Sequence, residues 1–369
     1  MNAPRIAYLD YLKIVSVFAV VALHATGSNV AVVSNSSSWF LANFYNLLTR
    51  FAIPCFLMCS GAVQLGKSFS SLSDVKHFYL KYIPRYIGYI VLCLAVYKYF
   101  DIKSVLNTGQ EVNYLRGLLY DLYSAPINLF WYLFLLLVCI IVSPILSLIV
   151  KEKWCTYLFL FIWFMAGIVS GTIKQLLNIN QSVTINFYVY NLLIANFFVG
   201  YYFLGYVLNN QTIKFKTRTL LYATFGSILI LNIITSYAAQ KSGTPQEGMY
   251  LGGNIFIMAY SICVFLLFKN IFFNFRLNTF IKLLSSRTVY IYIFHLAIPY
   301  FYTGGGDASR RAFIVSPVVF IICFAISLPL HPILVVVGRF IWKILSVNAL
   351  ISFIEKKFIM SANHKIIKP

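Results

Sequence analysis

Tyr8-Leu9-Asp10-Tyr11-Leu12-Lys13-Ile14-Val15-Ser16-Val17-Phe18-Ala19-Val20-Val21-Ala22-Leu23-His24 is a membrane-length apolar segment that carries three ionisable side chains. An α-helix crosses a bilayer with about 20 apolar residues, and ionisable groups inside such a helix are costly enough to mark functional or paired positions. The whole chain repeats the pattern: 369 residues, 60% hydrophobic and 10% charged, against about 25% charged in ordinary soluble domains. The composition therefore specifies an all-α, polytopic membrane helix bundle.

Scanning for apolar runs gives ten candidate spans, at about residues 9–31, 41–65, 80–100, 129–150, 154–173, 187–208, 219–238, 250–273, 288–303 and 313–337. The runs are continuous blocks rather than alternating ten-residue segments, which excludes a β-barrel. The formal charge of +20 does not form a basic face on a soluble domain, so nucleic acid is not expected as a partner. Of the 29 Lys and Arg residues, twenty fall on the side of Arg5, seven opposite, and Lys13 and Arg50 within spans. The positive-inside rule then places both termini in the cytoplasm. The expected organisation is a transmembrane domain over 1–338 and a basic, amphipathic tail over 339–369 lying on the inner lipid surface. The longest external segment, about 101–128, holds Tyr114, Tyr120 and Tyr123.

The seven cysteines all fall in apolar segments, and no Cys/His spacing typical of a metal site occurs, so neither a disulfide framework nor a metal is expected. Gly167 and Gly171 form a small-xxx-small pair suited to helix packing.

Chemistry concentrates at few positions. Asp10 is the only acidic residue in any expected span, and Lys13, three residues on, projects from the same helix face; a local ion pair that orients the helix and a role in a site are both open. His24 lies 14 residues beyond Asp10, about 21 Å along a helix, so Asp10 is no orienting carboxylate for it. Arg50 enters the second span from the opposite side and reaches a similar depth. An imidazole base beside a guanidinium that stabilises developing negative charge suits acyl transfer. Lys81 and Arg85, one helical turn apart around Pro84, could join Lys13 in a cationic mouth for phosphate groups or simply flank the span. Pro84 marks a helix start or a kink. His295 is a second intramembrane histidine, expected nearer the cytoplasmic side, where packing, orienting or gating and catalysis are equally open.

At these residues the chain resembles the membrane acyltransferase 3 family. Tyr-Leu-Asp10-Tyr-Leu-Lys13 followed by His24 looks like the family's first-helix signature, and Phe51–Gly61, with Pro54, Phe56, Ser60 and Gly61, like its second-helix region. Lys81–Arg85 resembles an Arg-x-x-x-Arg motif; Trp131-Tyr132 with Pro144, and Ser285–His295, are weaker matches. Lys13 and Lys81 depart from the family's Arg, and Lys cannot make a bidentate fork. The resemblance implies a multi-pass O-acetyltransferase of the bacterial inner membrane, with membrane lipids around it and no permanently bound cofactor. It implies that acetyl-CoA, held by Lys13, Lys81 and Arg85, donates to a hydroxyl of a lipid-linked or surface glycan. His24 would be the general base or a transient acyl carrier, with Arg50 beside it. The competing reading is a transporter or flippase for a glycan or small anion, in which the buried ionisable groups line a pathway.

Overall fold

The structure, a computed structural model, describes residues 5–106, 131–176, 197–212, 215–250, 252–298, 307 and 310–344. Among them there are helices and no strand. They are α1 (Ala7–Ala31), α2 (Ser37–Leu48), α3 (Ala52–Gln64), α4 (Leu72–Leu106), α5 (Trp131–Ile149), α6 (Lys153–Leu176), α7 (Phe197–Asn210), α8 (Thr217–Ser242), α9 (Ile255–Phe272), α10 (Thr279–Phe294) and α11 (Ser316–Ile344). Eight spans among the described residues are long and apolar enough to cross a bilayer, counting α2 and α3 as one. The shorter α7 and α10, of 14 and 16 residues, pack into the same bundle. The polytopic helical fold follows directly from the apolar blocks.

The segment 7–31 sits at the centre. α1 packs against α2, α3, α9 and α10, which is why it buries residues on every side, from Tyr8 and Leu12 to Val20 and Ala25. With α10 it runs in parallel. Ser285 Oγ donates to Asp10 Oδ1 at 2.6 Å near one end, and His24 meets His295 near the other.

Several boundaries differ from the apolar runs, each for a local reason. α4 begins at Leu72, ahead of the run at 80, because Ser71 and Asp74 form a capping box: Asp74 N–H donates to Ser71 Oγ at 3.2 Å, and Asp74 Oδ2 accepts from the Ser71 N–H at 2.9 Å. Lys76, His77, Lys81 and Arg85 therefore lie within the helix, and Pro84 is internal to it rather than at its start. α10 begins at Thr279 rather than near 288, capped by Asn278, whose Oδ1 accepts from Ile281 N–H at 2.8 Å. The second span is interrupted at Thr49–Phe51. Pro54 lacks the N–H that would bond the Arg50 carbonyl and its ring crowds that carbonyl, which breaks the helix at Arg50. α6 contains a π-helical turn at Phe164–Val169.

Glycine sets the closest approach in the bundle. A Cβ on Gly61 of α3 would lie 1.7 Å from the Tyr202 carbonyl oxygen of α7, and one on Gly205 of α7 would lie 2.0 Å from the Met58 carbonyl oxygen of α3. Gly171 meets the Gly253 carbonyl in the same way at 2.7 Å, consistent with a packing role. The chain falls into two compact units, Met1–Phe324 and Ala325–Pro369. All the site residues below belong to the first. The tail expected over 339–369 lies outside the described residues from 345 onward, as do Tyr114, Tyr120 and Tyr123.

Candidate active site

Two polar centres occupy opposite ends of α1. At the first, His24 and His295 face one another with ring centroids 5.1 Å apart and planes tilted by 49°. His295 thus stands beside His24 rather than nearer the Arg5 end. The early start of α10 carries its register forward, so that His295 follows the last turn of the helix instead of sitting in its middle.

His295 is 1% exposed. Its Nδ1 lies 2.6 Å from the Tyr292 carbonyl oxygen. A carbonyl only accepts, so Nδ1 carries the hydrogen and Nε2 keeps its lone pair. That Nε2 is buried and has no hydrogen-bond partner among the described residues. The lone pair is an open acceptor next to a second imidazole.

Arg50 completes this centre. It stands at the helix break, close enough for its charge to act on His24. Asn46 Oδ1 accepts from Arg50 Nε at 2.9 Å and from Nη2 at 2.6 Å, and the guanidinium carbon lies 4.9 Å from the Tyr250 ring centroid. A polar chain supports these partners from behind. Tyr250 donates to Asn43 Oδ1 at 2.9 Å, and the Asn43 amide donates to Thr235 and Ser236 hydroxyls at 3.0 Å each. Tyr260 donates to the Leu47 carbonyl at 2.8 Å, fixing the turn before the break. Hydropathy gave no sign of Asn43, Asn46 or Tyr250, because a single amide in an apolar run barely alters its mean.

At the other end Asp10, 4% exposed, takes three partners. Arg5 Nε lies 3.3 Å from Oδ2, Lys13 Nζ 3.9 Å from Oδ1, and Ser285 donates to Oδ1. The geometry at Asp10 is that of an orienting ion pair. A buried carboxylate bonded to Ser285 of the neighbouring helix, with its cationic partners partly in solvent, ties the register of α1 to α10.

A basic and aromatic cluster lies between α3 and α4. Lys67, between α3 and α4, donates to Gln64 and to the Tyr82 hydroxyl, the latter at 2.6 Å, and its ammonium lies 4.0 Å from the Tyr82 ring centroid. Lys81 and Arg85, both exposed, approach the same ring at 5.6 and 6.0 Å. Burial pushes Lys67 below the ordinary lysine value; its bond to Tyr82 opposes that shift, and the positive charges of Lys81 and Arg85 add to it. The apolar scan passed over Lys67 because it stands in the short loop after Gln64, where positive residues are commonplace. Lys81 and Arg85 thus share one aromatic platform, while Lys13 is engaged by Asp10.

A family model described as an acyltransferase domain matches residues 6–335, which include every residue of both centres except Arg5. The chain belongs to the membrane acyltransferase 3 family. No curated protein and no solved structure matches it. Family membership and the apolar bundle together make this a multi-pass membrane acyltransferase. A paired imidazole is a chemistry suited to proton transfer, and a basic cluster one suited to anions. His77 is exposed at the start of α4 and takes part in neither.

Proposed function

We propose that this acyltransferase moves an acetyl group from cytoplasmic acetyl-CoA to a hydroxyl of a lipid-linked or surface glycan, in the bacterial inner membrane. The observation that carries the reading is the His24–His295 pair within range of the Arg50 charge, about 16 Å along α1 from the basic end marked by Lys13. The donor's phosphates and nucleoside would bind at the basic mouth, with Arg85 and Lys81 on the Tyr82 platform. Its thioester arm would reach along the bundle to the histidines.

There His24 takes the proton of the acceptor hydroxyl as that oxygen attacks the thioester carbonyl carbon. The new C–O bond forms, the carbonyl oxygen becomes an oxyanion, and Arg50 stabilises it. On collapse the C–S bond breaks, and the thiolate takes the proton that left the hydroxyl. His295, with its unprotonated Nε2, gives that proton a second basic site between the two events. Atoms and charge balance: an alcohol and a thioester become an ester and a thiol.

The test is direct. Full-length protein in lipid nanodiscs, given acetyl-labelled CoA and a lipid-linked polysaccharide, should place label on the glycan as an alkali-labile ester. Translocation of the glycan without covalent change, with no label transferred, would replace this reading with the flippase.

A pH dependence follows from Lys67. An anion bound beside it would raise its depressed pKa, so donor binding takes up a proton there. Binding is then tightest where Lys67 is already protonated in the free protein. Acetyl-CoA affinity should fall as pH rises through that depressed value towards the ordinary 10.5. Lys67→Arg, which stays charged, should flatten the fall; titration calorimetry across the alkaline range reads both.

A further inference from the structure

Arg287 lies in the middle of α10 and takes no part in the arrangements above. Two of its guanidinium nitrogens, Nε and Nη1, are buried, and neither has a hydrogen-bond partner among the described residues. Leaving a charged donor buried and unpaired costs several kcal/mol on general grounds. A fold that keeps such a group has a use for it or a partner that arrives later.

The surroundings identify that partner's charge. Tyr89 of α4 and Tyr290 of α10 share a hydrogen bond, with their rings edge to face at 5.7 Å. Arg85 and Arg287 both bear electrostatically on this pair of phenols, one from each helix. Each arginine stands about one helical turn before its tyrosine of this contacting pair, with Lys67 and Lys81 on the neighbouring Tyr82. The nearest carboxylate on α1, Asp10, is engaged by Arg5, Lys13 and Ser285. With 29 Lys and Arg against 9 Asp and Glu in the chain, the overall excess of positive charge favours an anion from outside the chain as the counter-charge.

We propose that Arg287, together with Arg85, forms the fork that grips the phosphate groups of the acyl donor. A guanidinium offers parallel N–H donors matched to phosphate oxygens, which a lysine cannot do. Arg85 and Arg287, one on each helix and about a turn before Tyr89 and Tyr290 of the contacting pair, supply the forks that Lys13 and Lys81 cannot. The placement also suits the chemistry, since Arg287 precedes His295 by eight residues, about 12 Å along the helix. One helix would thus hold the donor's charged end and one imidazole of the reaction centre at a fixed separation. The identity of the donor rests on the acetyl-CoA reading above; the anion site does not.

Binding of acetyl-CoA and, separately, of inorganic pyrophosphate to the full-length protein in nanodiscs tests this. Losing hydrogen bonds between a charged group and its ligand costs about 1.5–3 kcal/mol, so Arg287→Gln should weaken both probes by about tenfold to a hundredfold. Arg287→Lys keeps the charge and the packing but loses the fork, and should fall between wild type and Gln. The Lys variant also guards against a Gln variant that fails to fold. Wild-type affinity for both probes in Arg287→Gln would overturn the proposal, as would failure of the wild-type protein to bind either. Arginine-dependent binding of pyrophosphate without binding of acetyl-CoA would leave the anion site standing and remove acetyl-CoA as the donor.

Discussion

His24→Ala should lower the turnover of acyl transfer by about a hundredfold to ten-thousandfold, the usual contribution of a positioned general base, with little change in affinity for acetyl-CoA. The separation of the two centres along α1 dictates this split. Lys67, Lys81, Arg85 and Arg287 lie around the Tyr82 and Tyr89–Tyr290 platforms, whereas His24 faces His295 some 11 residues beyond Lys13. Among the described residues the imidazole of His24 holds no other helix by a hydrogen bond, and α1 is held by Asp10–Ser285, by Tyr8 to Asn209 and by its apolar faces. The variant should therefore reach the membrane at the wild-type level. His24→Asn, which keeps a polar group of similar reach but cannot act as a base near neutral pH, should be as inactive as Ala. Labelled acetyl transfer at matched protein levels reads the loss; turnover at the wild-type rate in either variant removes His24 as the base. If His295 serves as the second proton site, His295→Gln should also lower turnover and should alter the pH–rate profile. A purely packing role would reduce protein yield instead and leave the profile's shape intact.

How much of this was legible beforehand depends on the range of the interaction involved. The spans were legible because crossing a bilayer imposes a length and an apolarity that any window reveals, and because most helices here follow their apolar blocks closely, as Trp131–Ile149 does. The starts of α4 and α10 were not, although the signals existed. Ser71-x-x-Asp74 is a capping box, and Asn278 before Thr279 is a strong N-cap, but both stand among polar residues that a hydropathy scan reads as loop. Missing the second of them displaced His295 from its true neighbour. The break at Arg50 was likewise readable from Pro54. What no local pattern contains is the meeting of His24 with His295 across 271 positions, or of Tyr89 with Tyr290, which brings the helices of Arg85 and Arg287 together. Arg287 and Lys67 were hidden for the opposite reason: the positive-inside bias that revealed the topology also supplies an ordinary explanation for every basic residue at that end.

Gly205→Ala should disrupt the bundle more than any polar substitution at the sites, although it adds one methyl group. The added Cβ would lie 2.0 Å from the Met58 carbonyl oxygen and 2.3 Å from its Cα, well inside contact distance, and these are backbone atoms that cannot rotate away. Overpacking costs about 1–3 kcal/mol when side chains adjust, and more when only a helix shift relieves it. In lipid this closeness is itself the source of association, because helix pairs gain from packing rather than from the hydrophobic effect. Here it is doubled, since Gly61 meets the Tyr202 carbonyl in the reverse sense across the same pair of helices. The strain would pass to the site. α3 begins two residues after Arg50 and is tied on its other faces by Cys55 Sγ to the Ser261 carbonyl and by Cys59 Sγ to the Leu9 carbonyl. Pushing α3 off α7 therefore moves it against α1 and α9 and shifts the Arg50 turn relative to His24. The expected result is a lower yield of monodisperse protein, an apparent melting temperature several degrees lower, and reduced transfer activity in what survives. Gly226→Ala is the matched control, since nothing lies within 4 Å of its added Cβ, and replacing a helical glycine with alanine should be neutral or stabilising by up to about 1 kcal/mol. Equal melting temperatures for the two variants would mean that α3 and α7 are not held at the carbonyl contact that Gly61 and Gly205 allow.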